Sequence, residues 1–203
     1  MTTPSNQHTS WDQELRSGTA PVQDAFLELV RRTRDSRHYC PSLIWGNLQT
    51  ADYARAVLGH VVSFREIPDD VEAGVAKRSA RAKFIGQGGR TYHALLGEQA
   101  LRTNLGGADV MCGQLTHLRD ALDLAGLKLG IIPSRAELAL YPGHSFSIFD
   151  GDQVMVETFS AALTITDKAE VAIYEKAFAL LEQSTVYGQQ ARDLIEAELR
   201  ALG

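Results

Sequence analysis

An Asp-Gly pair in the last third of the chain constrains the fold more than any other short feature. Asp150-Gly151-Asp152 separates two apolar, β-compatible runs, Ser145–Phe149 and Gln153–Phe159. Asp and Gly tolerate the positive φ angles of a two-residue hairpin turn, whose twist matches that of the paired strands. The sequence therefore predicts an antiparallel hairpin. If its second strand alternates regularly, Glu157 shares a face with Met155.

Helical periodicity surrounds this hairpin on both sides. Apolar residues recur at helical spacing in six segments, which begin near Pro21, Thr50, Pro68, Ala108, Val171 and Ala191. The first of these helices is predicted to end near His38, followed by an ordered loop over Tyr39–Gln49 that Pro and Gly interrupt. Further short strands are predicted at Thr91–Leu96, Leu127–Ile132 and Leu163–Ile165. Strands in the middle of the chain, flanked by helices, predict an α+β fold in which amphipathic helices cover a small, largely antiparallel sheet.

Composition favours one domain. The chain has 203 residues, of which 44% are hydrophobic and 22% are charged, close to the averages of globular proteins. Residues 1–19 are polar and have little to bury besides Trp11 and Leu15, so we predict a mobile N-terminal segment there. Residues 20–203 are predicted to form a single α+β domain.

Charge and cysteine content exclude several classes of protein. The net charge of -5 argues against a nucleic-acid binder, which needs a dominant basic surface. Cys40 and Cys112 are far apart and show no CxxC spacing, so we predict two thiols in a reducing compartment. No apolar run approaches the ~20 residues that cross a bilayer, and no signal peptide is recognisable. We therefore expect a cytoplasmic protein that contacts neither nucleic acid nor membrane.

The short motifs do not indicate an enzyme. Gly86-Gln87-Gly88-Gly89 follows a predicted helix instead of opening one, so it predicts a helix end and not a phosphate loop. Gly143-His144-Ser145 lacks the full GxSxG spacing of a nucleophile elbow. The basic clusters Arg31–Arg37 and Lys77–Lys83 are interpreted as solvated helix faces. We predict no metal and no cofactor, and whether the chain catalyses a reaction stays open.

Polar side chains at the edges of apolar segments form the candidate site. The predicted ligand-binding residues are Trp45, Asn47, Gln49, Glu98, Arg102, His144, Ser145 and Glu157. A carboxylate among apolar residues is costly unless it meets a cation, such as Arg102, or faces a wet pocket. An internal ion pair or a solvent-facing Glu157 is an equally open interpretation. If the chain is an enzyme, His144 or His93 would move a proton and Glu157 would orient it. Both histidines could equally be structural.

Five short motifs follow one another between about Val22 and the C-terminus. They are Leu48–Ala54, Glu98–Arg102, Met111–Leu118, Ile131–Pro133 and the hairpin strands Phe146–Phe149 with Val156-Glu157. Their order resembles the effector-like C-terminal domain of unknown function in actinobacterial Xre-type helix-turn-helix regulators, the WhiJ-like, antitoxin-like group. The resemblance implies a domain that receives a small metabolite or a protein partner and passes the signal to a DNA-binding module.

Two departures from that family matter. Residues 1–19 are too short and too polar to form a helix-turn-helix, so direct DNA binding is not carried over. The family's apolar PGLLQT corner is Trp45-Gly46-Asn47-Leu48-Gln49-Thr50 here, which suggests a specialised pocket. The leading hypothesis is a stand-alone sensor or adaptor that binds a small metabolite or a partner protein. The alternative is a small-molecule enzyme of specialised metabolism that uses the same cleft, and homodimer formation through the C-terminal helices is a further option.

Overall fold

The computed structural model describes residues 6–203, and within this range seven strands form one sheet against which seven α-helices lie. The strands are β1 (Gln7–Ser10), β2 (Asp35–Cys40), β3 (Thr91–Gly97), β4 (Leu127–Ile132), β5 (Phe146–Phe149), β6 (Gln153–Glu157) and β7 (Ala161–Ile165). The helices are α1 (Trp11–Glu14), α2 (Ala20–Arg32), α3 (Ala51–Arg65), α4 (Val71–Ala82), α5 (Ala108–Ala121), α6 (Lys168–Glu182) and α7 (Gly188–Leu202). Two 3₁₀ turns span Gly46–Leu48 and Glu98–Leu101.

The sheet is mixed, in the order β1-β7-β6-β5-β2-β3-β4. Strands β2, β3 and β4 run parallel to one another, and all other neighbours are antiparallel. The predicted α+β class is confirmed, but the prediction of a largely antiparallel sheet is wrong. Parallel neighbours need long crossover connections, and α3 with α4, and then α5, supply them between β2, β3 and β4.

Strand β2 begins where the sequence pattern predicts the last turn of a helix. The first helix was predicted to reach His38, but α2 ends at Arg32, where Thr33 turns the backbone to an extended conformation. The next residues form β2, which pairs with β3 on one side and β5 on the other. Pairing on both edges is a tertiary effect that overrides local periodicity. It places His38 and Cys40 in the centre of the sheet.

The hairpin prediction is confirmed. Three residues connect the paired Phe149 and Gln153, and the N–H of Asp152 bonds to the carbonyl of Phe149 at 3.1 Å. Asp150 and Gly151, the central residues of this turn, both have positive φ angles, of 52° and 70°. The Asp150 carboxylate also accepts hydrogen bonds from the backbone N–H groups of Arg34 and Asp35. The turn therefore fixes both the β5–β6 register and the start of β2.

The N-terminal segment joins the fold from Gln7 onward. Strand β1 pairs with β7, and the indole N–H of Trp11 donates a hydrogen bond of 2.9 Å to the carbonyl of Thr158. Leu15 is buried. The edge of a sheet presents unpaired backbone N–H and C=O groups. The backbone of a polar segment can pair with them, so β1 needs no apolar side chains to join the sheet. Residues 7–14 thus form a strand and a helical turn, residues 1–5 lie outside the described part, and the mobility of residues 1–19 stays a prediction. The single domain over residues 20–203 stays a prediction.

Helices cover both faces of the sheet. On one face α5 and α7 pack over β3 and β4 around Leu115, Leu118 and Ile195. On the other face α6 packs over β5 and β6 through Phe178 and Leu181. On the same face as α5, helices α2, α3 and α4 lie over β2, β5 and β6. A hollow remains between these helices and the sheet. In residues 6–203 none of the helices has the length and apolar character to cross a membrane.

Gly97 allows the loop after β2 to pass across the end of β3. A Cβ atom on Gly97 would lie 3.1 Å from the Cα of Pro41 and still closer to its carbonyl oxygen. Because the obstacle is backbone, we expect Gly97→Ala to lower the free energy of unfolding by about 2 kcal/mol or more, measured by urea denaturation. Gly59→Ala is the control, since a Cβ in α3 meets nothing within 4 Å and is expected to stabilise by ~0.5–1 kcal/mol. Equal stability of both variants and the native chain would contradict the close approach.

Candidate functional site

A cavity of about 630 Å³ occupies this hollow and opens to solvent. Its floor is one face of three strands, formed by His38, Cys40, Ser147, Phe149, Met155 and Glu157. These residues share a face because His38 is paired with Ser147 and Ser147 with Met155, and alternate residues of a strand point the same way. The volume falls within the ~300–1,000 Å³ typical of sites for small organic molecules.

Two arginines of α4 and one carboxylate of the floor form a charged cluster in this cavity. Arg78 and Arg81 are three residues apart and therefore project from the same side of α4. Glu157, the last residue of β6, lines the cavity and is exposed to the solvent that fills it. Among residues 6–203, no N–O distance of 4.0 Å or less joins Glu157 to either arginine. The three charges are therefore neighbours without direct ion pairs.

Arg81 is the most unusual member of the cluster. Its side chain is only 5% exposed, and its Nε atom is buried without a hydrogen-bond partner. The guanidinium lies over the ring of Phe26, with Cζ 5.1 Å from the ring centre. Burial lowers the pKa of Arg81 to about 9, and the nearby charge of Arg78 adds to this effect. Arg81 therefore remains a cation at neutral pH, in a place where an unpaired cation is costly.

Arg78 is held in place by two amide side chains. Its Nη1 donates a hydrogen bond of 2.7 Å to Gln49 Oε1, and its Nε donates one of 3.3 Å to Gln23 Oε1. Gln49 is fixed in turn, because its Nε2 donates to the carbonyl of Ile44 at 2.7 Å. Neutral amide oxygens orient the guanidinium of Arg78 but leave its charge unmatched.

The other titratable groups of the floor supply no counter-charge. The ring nitrogens of His38 lie 2.8 Å and 2.9 Å from the hydroxyls of Ser147 and Ser36. Burial, with a smaller effect of Arg81, lowers the pKa of His38 to about 3, so this ring is neutral. Burial, with a smaller effect of Glu157, raises the pKa of the Cys40 thiol to about 12, so it stays protonated. Burial also raises the pKa of Glu157 against the opposing fields of Arg78 and Arg81.

Aromatic residues line the wall and the opening. The ring of Trp45 stacks on His38, with centroids 4.1 Å apart and planes inclined by 27°. At the opening, the rings of Phe64 and Phe159 lie 6.0 Å apart and are 70% and 88% exposed. Exposed aromatic side chains beside an apolar cavity are an arrangement typical of binding sites.

The structure brings together five of the eight predicted ligand-binding residues. Trp45, Asn47, Gln49, Ser145 and Glu157 all line the cavity. Glu98 and Arg102 form an ion pair with each other elsewhere, where Arg102 also donates to Glu198 at 2.8 Å. Glu98 additionally accepts hydrogen bonds from the backbone N–H and the hydroxyl of Ser134. Of the alternatives for Glu157, a pairing with Arg102 does not occur, since the carboxylate partners of Arg102 come from the neighbouring 3₁₀ turn and from α7.

The three residues proposed for catalysis do not converge. His144 lies on the α6 side of the sheet, with Nε2 3.1 Å from the hydroxyl of Tyr174. His93 is on the same side, with Nε2 2.9 Å from the hydroxyl of Tyr187. Glu157 faces the cavity on the opposite side, because alternate strand residues face opposite ways. His144 and His93 therefore do not belong to the site.

Arg78 and Arg81 are the cavity residues that sequence reasoning missed. They belong to the Lys77–Lys83 cluster, which was interpreted as a solvated helix face. A signal was present, because Arg78 lies in the apolar stripe of α4, three residues after the buried Val75 and three before Arg81. A cation inside an apolar stripe indicates a buried charge and not a solvated one.

Metal binding has no support from the described part of the chain. Between residues 6 and 203 there is no group of three or more His, Cys, Asp or Glu side chains that could hold a metal ion. The cavity instead presents cations, amides, hydroxyls and aromatic rings, which suit an organic ligand.

Comparison with protein families identifies the chain. The model for "Domain of unknown function (DUF5753)" matches residues 23–197. The chain belongs to this family. The match covers the cavity lining from Gln23 to Phe159, whereas the lining residues Trp11, Leu15, Thr19 and Val22 precede the matched range.

Solved structures show distant likenesses to this DUF5753 chain. NucT from Helicobacter pylori has a TM-score of 0.47 at 12% identity, over 91% of this chain and 99% of that one. Nuc from Salmonella typhimurium, a phospholipase D family member, has a TM-score of 0.48 at 9% identity, over 92% and 99%. The archaeal chromatin protein TrmBL2 has a TM-score of 0.42 at 10% identity, over 92% of this chain and 56% of that one. Scores this low carry no information about the ligand or chemistry of this chain. No curated protein matches it.

Proposed function

We propose that this chain is a receptor domain that binds one small organic molecule in the cavity. The observation that supports this proposal is Arg81, a residue only 5% exposed that lines the cavity and has neither a hydrogen bond nor an ion pair to any residue of 6–203 through its guanidinium. Leaving a charged group without a partner in the interior costs several kcal/mol, and a ligand that pairs with it offsets that cost. Nearly all buried polar groups in proteins are hydrogen-bonded, so an exception inside a cavity points to a missing partner.

The form of the cavity supports the same proposal. Trp45 and Phe26 offer flat apolar surfaces, and polar side chains such as Asn47 and Gln49 line the same cavity. Rigid aromatic walls give contact area at a low entropic cost, and convergent polar groups orient the ligand. Gln49 is a positioning residue in this scheme, because its Oε1 accepts from Arg78 while its Nε2 is tied to the carbonyl of Ile44.

A sensor role is favoured over simple storage because the N-terminal segment contributes to the cavity. Trp11 and Leu15 line it, and Trp11 is tied to the β6–β7 turn through Thr158. Arg65 of α3 bonds both to Asp12 and to the carbonyl of Phe159 beside the opening. A ligand that contacts these residues shifts the equilibrium position of the segment to the extent that it binds one position more tightly. Transfer of this signal to a partner protein or to a DNA-binding module of an Xre-type regulator is part of the proposal.

The enzyme alternative has less support. Its proton carriers, His93 and His144, lie on the other side of the sheet from Glu157. Inside the cavity, both ring nitrogens of His38 are already bonded and the Cys40 thiol stays protonated. A general base must reach its proton in a usable charge state, and a thiol must ionise before it attacks.

The experiment uses N-phenyl-1-naphthylamine, an uncharged aromatic probe whose emission rises in apolar surroundings. We expect saturable binding of one probe per chain. Trp11 and Trp45 are the only two tryptophans in the sequence and both line the cavity, so energy transfer from them to the probe is also expected.

Matched variants localise this binding. Met155→Trp puts a large ring into the cavity floor, and we expect it to weaken binding by about tenfold or more, because the ring occupies the space of the probe. Ile173→Trp places the same ring on the exposed side of α6, and we expect no change. Absence of saturable binding, or equal binding by both variants, would rule out the cavity as a receptor site.

A further inference from the structure

We infer that the molecule bound in the cavity is an amphipathic organic monoanion, with one acidic group held by Arg78 and Arg81 and an apolar body against Trp45 and Phe26. This inference rests on the proposed function and names the chemistry of its ligand.

The charge balance of the inner cavity supports this chemistry. Arg78 and Arg81 contribute two positive charges, and Glu157 contributes at most one negative charge. His38 and Cys40 are neutral, as argued above. Arg65 also lines the cavity, but it is paired with Asp12. One positive charge is therefore left over, in surroundings where apolar walls strengthen electrostatic attraction.

The arginines are arranged to bind an oxyanion. A guanidinium presents donors in a planar fork that matches a carboxylate, sulfonate or phosphate. Arg78 is oriented by Gln23 and Gln49, so its position does not depend on the ligand. Arg81 is held over Phe26 and uses no hydrogen-bond acceptor for its Nε. One acidic group that reaches the terminal Nη atoms of both side chains would pair with both charges.

Glu157 limits the charge of the ligand. Its carboxylate lies in the field of both arginines, so a second acidic group on the ligand would be repelled by it. The site therefore favours a single negative charge over two. Replacing Glu157 with glutamine removes this repulsion and keeps the shape of the side chain, so this variant should bind a monoanion more tightly.

The test compares two probes that share one aromatic frame. 8-Anilino-1-naphthalenesulfonate is N-phenyl-1-naphthylamine with one added sulfonate, so any difference in affinity reports the anionic group. We expect the sulfonate to bind the native chain about tenfold or more tightly than the neutral probe, the usual effect of a charge-assisted hydrogen-bond pair. Each titration includes Met155→Trp, so that only the cavity-dependent signal is counted.

Three substitutions assign the difference to residues. Arg81→Met is expected to reduce the preference for the sulfonate to about threefold or less, with the neutral probe still bound. Glu157→Gln is expected to increase the preference by about threefold or more. Arg102→Met removes an arginine outside the cavity, and we expect it to leave the preference for the sulfonate unchanged.

The outcomes separate the two proposals. If the neutral probe binds in the cavity but the sulfonate binds no better, the receptor function stands and the anion inference is overturned. A preference that survives Arg81→Met, or that falls in Glu157→Gln, also overturns it. If neither probe gives a signal that Met155→Trp removes, the proposed function itself fails.

Discussion

Replacing Arg81 with methionine is expected to make the empty protein more stable. Methionine keeps much of the length of the arginine side chain and its packing on Phe26, but it carries no charge to bury. Replacing buried charges with apolar side chains of similar volume often stabilises proteins by ~1–4 kcal/mol, and Arg81 lacks a direct ion pair that would oppose this gain. We expect a rise of the free energy of unfolding within that range, measured by urea denaturation at neutral pH without ligand.

The sign of this effect distinguishes a binding residue from a structural one. An arginine that holds the fold together would lower the stability when it is removed. Arg102→Met is the control, because Arg102 bonds to both Glu98 and Glu198 and its loss is expected to lower the stability by ~0.2–1 kcal/mol. A loss of stability in Arg81→Met as large as that in Arg102→Met would mean that Arg81 has a structural partner.

Lowering the pH is expected to destabilise the fold because the unfolded chain protonates His38, and this effect begins at a higher pH than the protonation of the carboxylates. Burial lowers the pKa of His38 from 6.5 to about 3, so the folded protein keeps this ring neutral while the unfolded chain protonates it. The stability contributed by the neutral ring is complete above pH 6.5 and is lost as the pH falls towards 3. One pKa unit corresponds to ~1.4 kcal/mol. We therefore expect the free energy of unfolding to fall by about 2 kcal/mol at pH 5 and by about 4–5 kcal/mol at pH 3.

The measurement is the difference between two pH profiles of the free energy of unfolding. His38→Gln removes the titrating group and keeps a hydrogen-bonding amide, so it is expected to be less stable at neutral pH but to lack the His38 part of the acid loss. The comparison is necessary because burial also lowers the pKa of His93, to about 4, and raises that of Glu157, which acts with the opposite sign. His60→Gln, at an exposed position of α3, is the control and is expected to keep the native profile. Parallel profiles for His38→Gln and the native chain would contradict a neutral, buried His38.

Part of the candidate site could be predicted from local chemistry. An indole and amide side chains in a segment interrupted by Pro and Gly predict ligand-binding residues at Trp45 and Gln49. Both residues line the cavity. Glu157 was chosen because it stands among apolar residues of a strand. The charged neighbours of Glu157 could not be predicted, because α4 is far from β6 in the chain and only the packing of α4 over the sheet brings Arg78 and Arg81 close.

The sequence also could not predict which side of the sheet each histidine faces, because this too depends on segments that are distant in the chain. His93 is paired with Arg37, and Ala94 with His38, so His93 and His38 face different sides of adjacent strands. A shift of one residue in the strand register would exchange the two sides, and nothing in the local sequence around His93 sets that register.

The sequence by itself determined the features that depend on neighbouring residues: the Asp150-Gly151 turn, the Thr50 cap of α3 and the amphipathic stripes of the helices. These follow from backbone φ preferences, side-chain-to-backbone hydrogen bonds and the period of the helix, which act over a few residues. Only the tertiary structure decided that residues 35–40 form a strand, that helices cover both faces of a mixed sheet, and that two arginines and a glutamate share one cavity. Pairing of strand edges and burial of charge depend on segments that are distant in the chain, and their free energies exist only once those segments have met.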